Sequence, residues 1–566
     1  SSAAILRHSM QKRLILALVL AAIVIVVSQK LFPTPITPRQ PSDSTVVASH
    51  ADSVRTTSHT ESTTTAAPSA LHPTIAAATT SSALSPIGDS IAIAAPKAIF
   101  RFASLGAAPL DVVLNDYHFL PKSDRNIVLG RPGSRLLSYD LVGKRDTIHL
   151  DDVKFEIDSS RLRTKSTLVF SGSSKGTHVT ITYAFAPEGY LSNVQGSVTG
   201  TDSITSLLIR LHQGLPFVEA DSSEDLRNLA YVVKPVRDGA SSIPFSKLDS
   251  LEPKVESDSL AWVASKNKYF LLALIAKAPG RAFTGAVFTR GVHQPKAVAV
   301  ANGLVLQPLT PAGDFAFQLY TGPQEWRRLH RMGEDLDHVN PYGGILRAVV
   351  QPFANIVMQV LLWIHDGLRI NYGWVLIIFG VTVRILLWPL NQGAMRNSLK
   401  LQRIQPQLQE IQKKYKSNPE KLQTEMGKLY KEHGMSPFTP IAGCLPMLIP
   451  MPVLFALYFV FQNTIEFRGV SFLWLPDLAQ RDPLFILPAV MGLSMYFLSW
   501  ISLRASPPNP QAKMMAYMFP VMMVVFFWRL AAGLNLYYAV QNLATLPQQW
   551  LIARERAKLT VTPASG

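Results

Sequence analysis

The stretch WVLIIFGVTVRILLWPLNQGAMRNSLKL, residues 374–401, places an arginine, Arg384, inside an apolar segment of the length that crosses a membrane. A charged side chain at the centre of a span costs about 2.5–3.5 kcal/mol on insertion scales, so it normally faces a bundle interior or a water-filled cavity. Arg384 is therefore a candidate functional residue. The alternative is that it snorkels to the headgroups or binds backbone carbonyls.

The composition predicts a multi-span membrane protein. The chain has 566 residues, of which 48% are hydrophobic, and a net charge of +16. Its apolar residues come in long blocks with basic flanks, which is the positive-inside signature rather than the pattern of a specific nucleic-acid binder. The one cysteine, Cys444, allows no disulfide within the chain. There is no phosphate-binding, dinucleotide-binding or zincin motif, so we expect no cofactor, no metal site and no catalytic residue.

The N-terminal segments are predicted to anchor and tether the chain. The apolar run LILALVLAAIVIVV, residues 14–27, follows basic residues. A cleaved signal peptide is one reading. We favour the alternative that residues 1–32 form an uncleaved membrane anchor with a cytoplasmic N-terminus. Residues 33–96 are rich in Ser, Thr, Ala and Pro, which predicts a disordered tether.

Residues 97–342 change to short β-rich runs such as HVTITYAF (178–185), separated by turn signals. Regular strand spacing without intervening helices predicts an antiparallel sandwich outside the cytoplasm. Residues 326–342 read as a short helix that leaves it. We find no convincing nucleophile or paired carboxylates here, and Asp151 and Asp152 read as turn residues.

The following segments are predicted to build the membrane part. Residues 343–370 carry too many polar residues for an easy span, so we predict an interfacial amphipathic helix; a crossing helix stays open. Residues 371–392 form the span with Arg384. Residues 393–440 form a basic helical hairpin, with Asn418 as N-cap and Pro419 opening its second helix. Its candidate contact residues are the basic side chains of Arg396, Lys400, Arg403, Lys413 and Lys414. A solvated basic loop is the alternative, and charge alone identifies no partner.

Residues 441–553 hold four more apolar blocks, and residues 554–566 form a basic cytoplasmic tail. Six spans in all place every strongly basic loop in the cytoplasm. Polar side chains within the spans are costly unless they meet one another or water. We therefore expect a wet groove that opens inward, lined by Arg384, Thr382, Tyr537, Tyr538, Gln541 and Asn542.

Three stretches carry a family resemblance. They are VRILLWPLNQGAMRNSLKLQRIQPQLQEIQKKYKSNPEKLQTEMGKLYKEHG, GCLPMLIPMPVLFALY (443–458) and GLNLYYAVQNLATLPQQWLI (533–552). They closely resemble the YidC membrane protein insertases of the Oxa and Alb group. WVASKNKYFLLALI and LYTGPQEWRRL (319–329) are similar to the large periplasmic domain of the Gram-negative type. The chain departs from the family pattern at Pro450, where Gln is common, and in the longer link at 436–443.

The resemblance implies a polytopic α-helical membrane protein with six spans, a five-span conserved core and an all-β periplasmic supersandwich domain. It implies that Arg384 is the groove arginine and that Tyr537 and Tyr538 lie along the substrate path. The expected function is an ATP-independent insertase and chaperone of the bacterial inner membrane, working alone or with the Sec translocon. The expected partners are nascent membrane proteins, the Sec translocon, the ribosome and lipids. A small-solute transporter or channel that uses Arg384 as an anion site is the alternative; we see no internal repeat of the kind it predicts.

Overall fold

The computed structural model describes residues 89–561 with internal gaps. The gaps are 121–123, 145, 161–165, 188, 201–202, 220–221, 250, 278–281, 291–299, 341, 343–346, 416–417, 434–450 and 505–509. All described residues belong to one compact unit, Leu84–Gly566. The predicted anchor, Cys444, Pro450 and the link at 436–443 lie outside the described residues.

The first half of the described chain is a β-rich region built only from antiparallel pairs. Its strands are β1 Ser90–Ala94, β2 Ala98–Ala103, β3 Pro109–His118, β4 Asn126–Leu129, β5 Leu137–Gly143, β6 Thr147–His149, β7 Glu156–Asp158, β8 Thr167–Ser174, β9 Thr177–Phe185, β10 Leu191–Thr199, β11 Ile204–Leu211, β12 Ala230–Pro235, β13 Ser241–Pro244, β14 Lys254–Glu256, β15 Leu260–Lys266, β16 Phe270–Ala276, β17 Gly285–Arg290, β18 Ala301–Pro308 and β19 Asp314–Pro323. They form three sheets with the strand orders β1-β2-β3-β4, β13-β12-β15-β16-β19-β10-β9-β8-β7 and β14-β17-β18-β11-β5-β6.

The sheets pack face to face over a shared aromatic core. Tyr139 of the six-stranded sheet and Tyr183 of the nine-stranded sheet are buried, and their hydroxyls lie 2.7 Å apart. The ring of Phe102, from the four-stranded sheet, lies 4.6 Å from that of Tyr183. Aromatic rings bury large apolar areas and prefer such tilted contacts. The antiparallel sandwich expected from the strand pattern is therefore present.

The first strand lies inside the segment predicted as a tether. Ser90–Ala94 pairs along its whole length with β2, and Ile93 is buried. The sequence SIAIA alternates in the strand pattern, but it is short and follows a long Ser- and Ala-rich run. The ordered β-rich region therefore begins before residue 97.

The second half of the described chain is mainly helical. Two short helices belong to the β-rich region: α1 Ser222–Asn228 and α2 Trp326–Met332. The remaining helices are α3 Arg347–Leu368, α4 Tyr372–Arg403, α5 Gln405–Lys414, α6 Pro419–Glu432, α7 Met451–Asn463, α8 Ile486–Arg504, α9 Pro510–Phe527 and α10 Ala532–Val561.

Length and hydropathy single out few of these helices as membrane spans. Within the described residues, only Ile486–Arg504 passes on its own. Val350–Leu368 and Tyr372–Trp388 pass together as a pair bent by 120°. Val453–Asn463 and Lys513–Phe527 are apolar but shorter. The helix that carries Arg384 also runs without a break past Pro389, so its end differs from the predicted boundary at residue 392.

The predicted helical hairpin is present in α5 and α6. Buried Ile404 and Leu408 pack against Leu429 and Tyr430, which form a small apolar core separate from the main one. The side chain of Asn418 accepts a hydrogen bond from the Lys421 backbone N–H at 3.1 Å, with Pro directly after the cap. This is the N-cap that the sequence predicted.

One loop, residues 464–482, organises the helix ends and is called the docking loop below. The backbone N–H groups of Ala532 and Gly533, at the start of α10, donate to the carbonyls of Gln480 and Leu478. The Asp482 carboxylate accepts from the backbone N–H of Leu487 at 2.7 Å, which caps the start of α8. The loop therefore joins the starts of α8 and α10 at the end of the bundle nearest the β-rich region.

Candidate functional site

Arg384 lies on α4 where that helix packs against α10. Its side chain is half-buried, and one terminal guanidinium nitrogen donates to the side-chain oxygen of Gln548. Gln548 is only 3% exposed. The Nε atom of Arg384 is buried and has no hydrogen-bond partner among the described residues. A buried donor without a partner costs about 1–3 kcal/mol, more for a charged group, so Arg384 is an incompletely satisfied cation.

A polar stripe on α10 faces Arg384's helix. Gln541 donates through Nε2 to the Gly380 carbonyl of α4 at 2.9 Å and to the Tyr537 hydroxyl at 3.1 Å. Thr545 donates to the Gln541 carbonyl at 2.6 Å. Tyr537, Gln541, Thr545 and Gln548 recur at spacings of three and four residues, which puts them on one face of a helix.

Close contact between α4 and α10 depends on Gly380. A Cβ atom there would lie 3.1 Å from a methyl carbon of Val540 and 3.5 Å from the Tyr537 ring. The missing side chain lets the Gln541 amide reach the Gly380 carbonyl. The glycine therefore sets the distance at which Arg384 meets the polar stripe one turn further along.

Tyr538 and Asn542 belong to a neighbouring stripe of α10. The Tyr538 ring lies 4.9 Å from that of Phe527, at the end of α9. Asn542 lies one turn further along, and its Nδ2 is buried without a hydrogen-bond partner among the described residues. The structure therefore brings Tyr537 and Gln541 to the helix of Arg384, and turns Tyr538 towards α9.

Thr382 does not join the cluster. It is exposed on α4, and two residues of helix place it about 200° around the axis from Arg384. It shares a face with exposed apolar residues such as Ile378 and Ile385.

The predicted hairpin contacts are separated from this cluster along the chain. Lys413 and Lys414 are exposed in the last turn of α5. Arg396, Lys400 and Arg403 lie on the extension of α4 beyond Pro389, where the structure describes the backbone only.

Gln548 is the site residue that the sequence reasoning missed. It lies seven residues after Gln541, two turns along the same face. Extending the polar stripe past Thr545 would have found it. The neighbouring Pro547 lies inside the helix and has no backbone N–H, so one carbonyl in the preceding turn lacks its helical hydrogen bond.

The charge around Arg384 is one-sided. None of the sequences of α4, α7, α8 and α9 contains an aspartate or glutamate, and neither does α10 before Glu555. No carboxylate of the described residues lies within ion-pair distance of Arg384. An unpaired cation in such a bundle favours water or an acidic group from another molecule.

Another arginine, Arg468, has a buried side chain in the docking loop and has a carboxylate partner. Its Nε donates to Glu219 of the β-rich region at 2.7 Å, and another guanidinium nitrogen donates to the His118 carbonyl at 3.0 Å. The side chains of Arg468 and Glu219 are 5% and 8% exposed. The guanidinium also lies 5.9 Å from the ring centroids of Tyr269 and Phe270. This set of contacts joins the loop to the sandwich.

A buried carboxylate, Glu466, lies beside this ion pair in the sequence. Its Oε1 accepts from the Trp326 backbone N–H at 2.9 Å, and its Oε2 has no partner among the described residues. Burial raises the pKa of Glu466 to about 7, against partial compensation from the backbone hydrogen bonds. The docking loop therefore carries a group that titrates near neutral pH.

Family models match both halves of the chain. A model described as the YidC periplasmic domain matches residues 90–356, and one described as the 60Kd inner membrane protein matches residues 363–559. A membrane protein insertase YidC from Chlorobium phaeovibrioides is 31% identical over 461 residues, covering 75% of this chain and 74% of the relative. The chain belongs to the YidC membrane protein insertase family. Its β-rich region corresponds to the periplasmic domain of the YidC family.

Further YidC relatives are similar over a smaller share. The insertases YidC of Chlorobaculum parvum and Chlorobaculum tepidum are 30% and 32% identical, and each alignment spans 65% of the relative's length and 65% or 66% of this chain. Among solved structures, a YidC insertase crystal structure with the first transmembrane domain resolved covers 81% of this chain and 92% of its own, at 17% identity and a TM-score of 0.34.

Proposed function

We propose that this chain inserts membrane proteins into the bacterial inner membrane and assists their folding. One observation carries the proposal: a half-buried guanidinium, Arg384, has an unpartnered Nε beside a polar stripe and no carboxylate partner among the described residues. Membership of a family whose relatives are named membrane protein insertases supports it. Arg384 receives the polar or acidic segment of a client and lowers the desolvation cost of moving it partway across.

The energy for insertion comes from the client and the membrane. As the client's apolar segment leaves the groove for lipid, burial at about 25 cal/mol per Å² favours the transfer. The membrane potential adds about 2.3 kcal/mol per charge per 100 mV and draws acidic segments outward. No covalent bond is made or broken, so the process needs neither ATP nor a catalytic residue.

The proposed topology has six spans with both termini in the cytoplasm and the β-rich domain in the periplasm. The exposed Lys413 and Lys414 at the tip of the α5–α6 hairpin then face the cytoplasm. The hairpin receives the client from the ribosome, and the groove works alone or beside the Sec translocon. Helix α3 lies in the membrane interface, consistent with its exposed Trp363 and Ile356.

Complementation of a depleted host tests the role of Arg384. Arg384→Lys, Arg384→Ala and Arg384→Glu are compared for insertion of a small client with an acidic tail, read out by protease protection. Thr382→Ala is the matched control, since Thr382 lies on the same helix but on its opposite, exposed face.

We expect Lys to retain insertion, Ala and Glu to lose most of it at normal protein level, and the Thr382 variant to behave like the parent. Insertion by Arg384→Ala at the parent's rate across several clients would overturn the proposal for Arg384. A second client with a neutral tail tests whether Arg384 acts on the client's charge. Its insertion should depend less on Arg384 than insertion of the acidic client does.

A further inference from the structure

Two tryptophan–arginine pairs lie on neighbouring helices, far from the docking loop. The Arg504 guanidinium carbon lies 3.9 Å from the ring centroid of Trp500 on α8, and that of Arg554 lies 5.4 Å from Trp550 on α10. Both pairs have the spacing i, i+4, which places the two side chains on one helix face. Trp500 and Trp550 are 37% and 54% exposed, so both rings face away from the bundle.

The two pairs lie at the same end of the bundle. Helices α8 and α10 pack together and both start at the docking loop. At 1.5 Å per residue, Trp500 and Trp550 lie roughly 21 and 27 Å from the starts of their helices, and Arg504 and Arg554 roughly 27 and 33 Å. The hydrocarbon core is about 30 Å thick. With the helix starts at the near edge of that core, the rings are close to its far edge and the guanidinium groups are at the headgroup level.

Neither guanidinium is neutralised within the described chain. No carboxylate of the described residues forms an ion pair with Arg504 or Arg554, and both are exposed. The connector 501–513 contains two basic residues and no acidic one, and residues 553–559 contain three basic residues and Glu555. The local excess of positive charge is complementary to an anionic headgroup.

We propose that each pair, Trp500–Arg504 and Trp550–Arg554, binds the phosphodiester headgroup of an anionic phospholipid in the leaflet opposite the docking loop. Stacking on the indole holds the guanidinium plane, while its edge N–H groups remain able to donate two parallel hydrogen bonds to phosphate oxygens. The exposed ring contacts the upper part of the acyl chains. This site is separate from Arg384 and does not depend on insertase activity.

Lipid retention by the purified full chain tests the proposal. The protein is equilibrated in detergent micelles that contain equal phosphatidylglycerol and phosphatidylcholine, and bound lipids are quantified by mass spectrometry. The variants are Arg504→Gln with Arg554→Gln, and Trp500→Leu with Trp550→Leu. The matched control is Arg529→Gln, which removes an exposed arginine at the docking-loop end. Arg529 lies 5.4 Å from the Trp528 ring, but the two residues are adjacent in sequence and do not form the i, i+4 pair on one helix face.

We expect the preference for phosphatidylglycerol to fall about fivefold for each arginine removed. We also expect it to fall in the tryptophan variant, whose charge is unchanged, and to stay at the parent's value in Arg529→Gln. Gel filtration and thermal unfolding identify variants that have lost their fold, and single substitutions then replace the double ones. An unchanged preference in the tryptophan variant, or an equal loss in Arg529→Gln, would overturn the proposal in favour of general charge attraction.

Discussion

Two arginines in this molecule, one half-buried and one with a buried side chain, have opposite surroundings. Arg468 binds a glutamate and a backbone carbonyl and lies near two aromatic rings. Arg384 binds one neutral amide and keeps an unpartnered Nε. A buried cation with an anionic partner can join two segments of a structure, whereas one without an anion is destabilising and is a candidate functional residue. The contrast supports a structural role for Arg468 and the functional role proposed for Arg384.

The largest expected effect comes from breaking the satisfied pair. Arg468→Ala leaves the Glu219 carboxylate buried without its cation, so we expect a loss of about 3–5 kcal/mol in the free energy of unfolding. Thermal unfolding in detergent micelles and protease cleavage in the docking loop measure it. The control is Arg327→Ala, whose ion pair with Asp366 is exposed and is expected to contribute about 1 kcal/mol or less.

A double variant, Arg468→Leu with Glu219→Leu, sharpens this result. Removing both charges leaves none unpaired, so most of the lost stability should return. If the double variant is as unstable as Arg468→Ala, packing rather than the unpaired charge accounts for the loss.

The next effect concerns pH at the docking loop. Burial raises the pKa of Glu466 from its ordinary value of 4.5 to about 7. Between these values the folded protein holds a proton that the unfolded chain releases, so stability falls as pH rises from about 4.5 to about 7 and levels off above. This group accounts for at most about 3 kcal/mol of the change in the free energy of unfolding across that range, and Glu466→Gln should remove that contribution. Unfolding midpoints measured across this range check it, with exposed Glu410→Gln as the control; an unchanged slope in Glu466→Gln contradicts the assignment.

A smaller effect follows from giving Arg384 the partner that Arg468 has. Gln548→Glu places a carboxylate where the amide oxygen accepts from Arg384. A charge-assisted hydrogen bond is stronger than a neutral one, so we expect about 1 kcal/mol of added stability. Insertion should fall, because the cation is then neutralised within the chain. Thermal unfolding and protease protection of a client are both measured. A stabilised variant that inserts normally would show that insertion does not depend on the unneutralised charge of Arg384.

The smallest effect on stability is expected from removing Arg384. Arg384→Leu deletes an incompletely satisfied donor and adds apolar surface, but it also leaves the buried Gln548 oxygen without its donor. These effects oppose each other, so the free energy of unfolding should change by less than about 1 kcal/mol. Insertion should be lost in the same preparation. A destabilisation comparable to that of Arg468→Ala would show that both arginines are structural.

Local sequence patterns predicted the type of each region rather than every element. The strand alternation predicted the sandwich, and the Asn418–Pro419 cap with its flanking apolar stripes predicted the hairpin. Arg384 and Gln541 were found because polar residues in an apolar run are costly wherever the run folds. The membership of the family was also predicted, from motifs in the helical half.

Contacts between distant segments could not be predicted. Arg468 and Glu219 are 249 residues apart, and neither has a local pattern that identifies the other. Thr382 was grouped with Arg384 because both are polar, although helix geometry separates them by about 200°. Strand β1 was missed because five residues of alternation are a weak signal beside a long low-complexity segment.

The docking loop also restricts how the helices can move. It caps α8, binds the start of α10 and accepts a hydrogen bond from Asn371, which directly precedes α4. Helices held at one end change their spacing by tilting about that end rather than by sliding. For α8, which is about 28 Å long, a tilt of roughly 10° displaces the free end by about 5 Å while the fixed end stays closed. The helix bundle can therefore widen at the end away from the docking loop while its docking-loop end keeps its spacing.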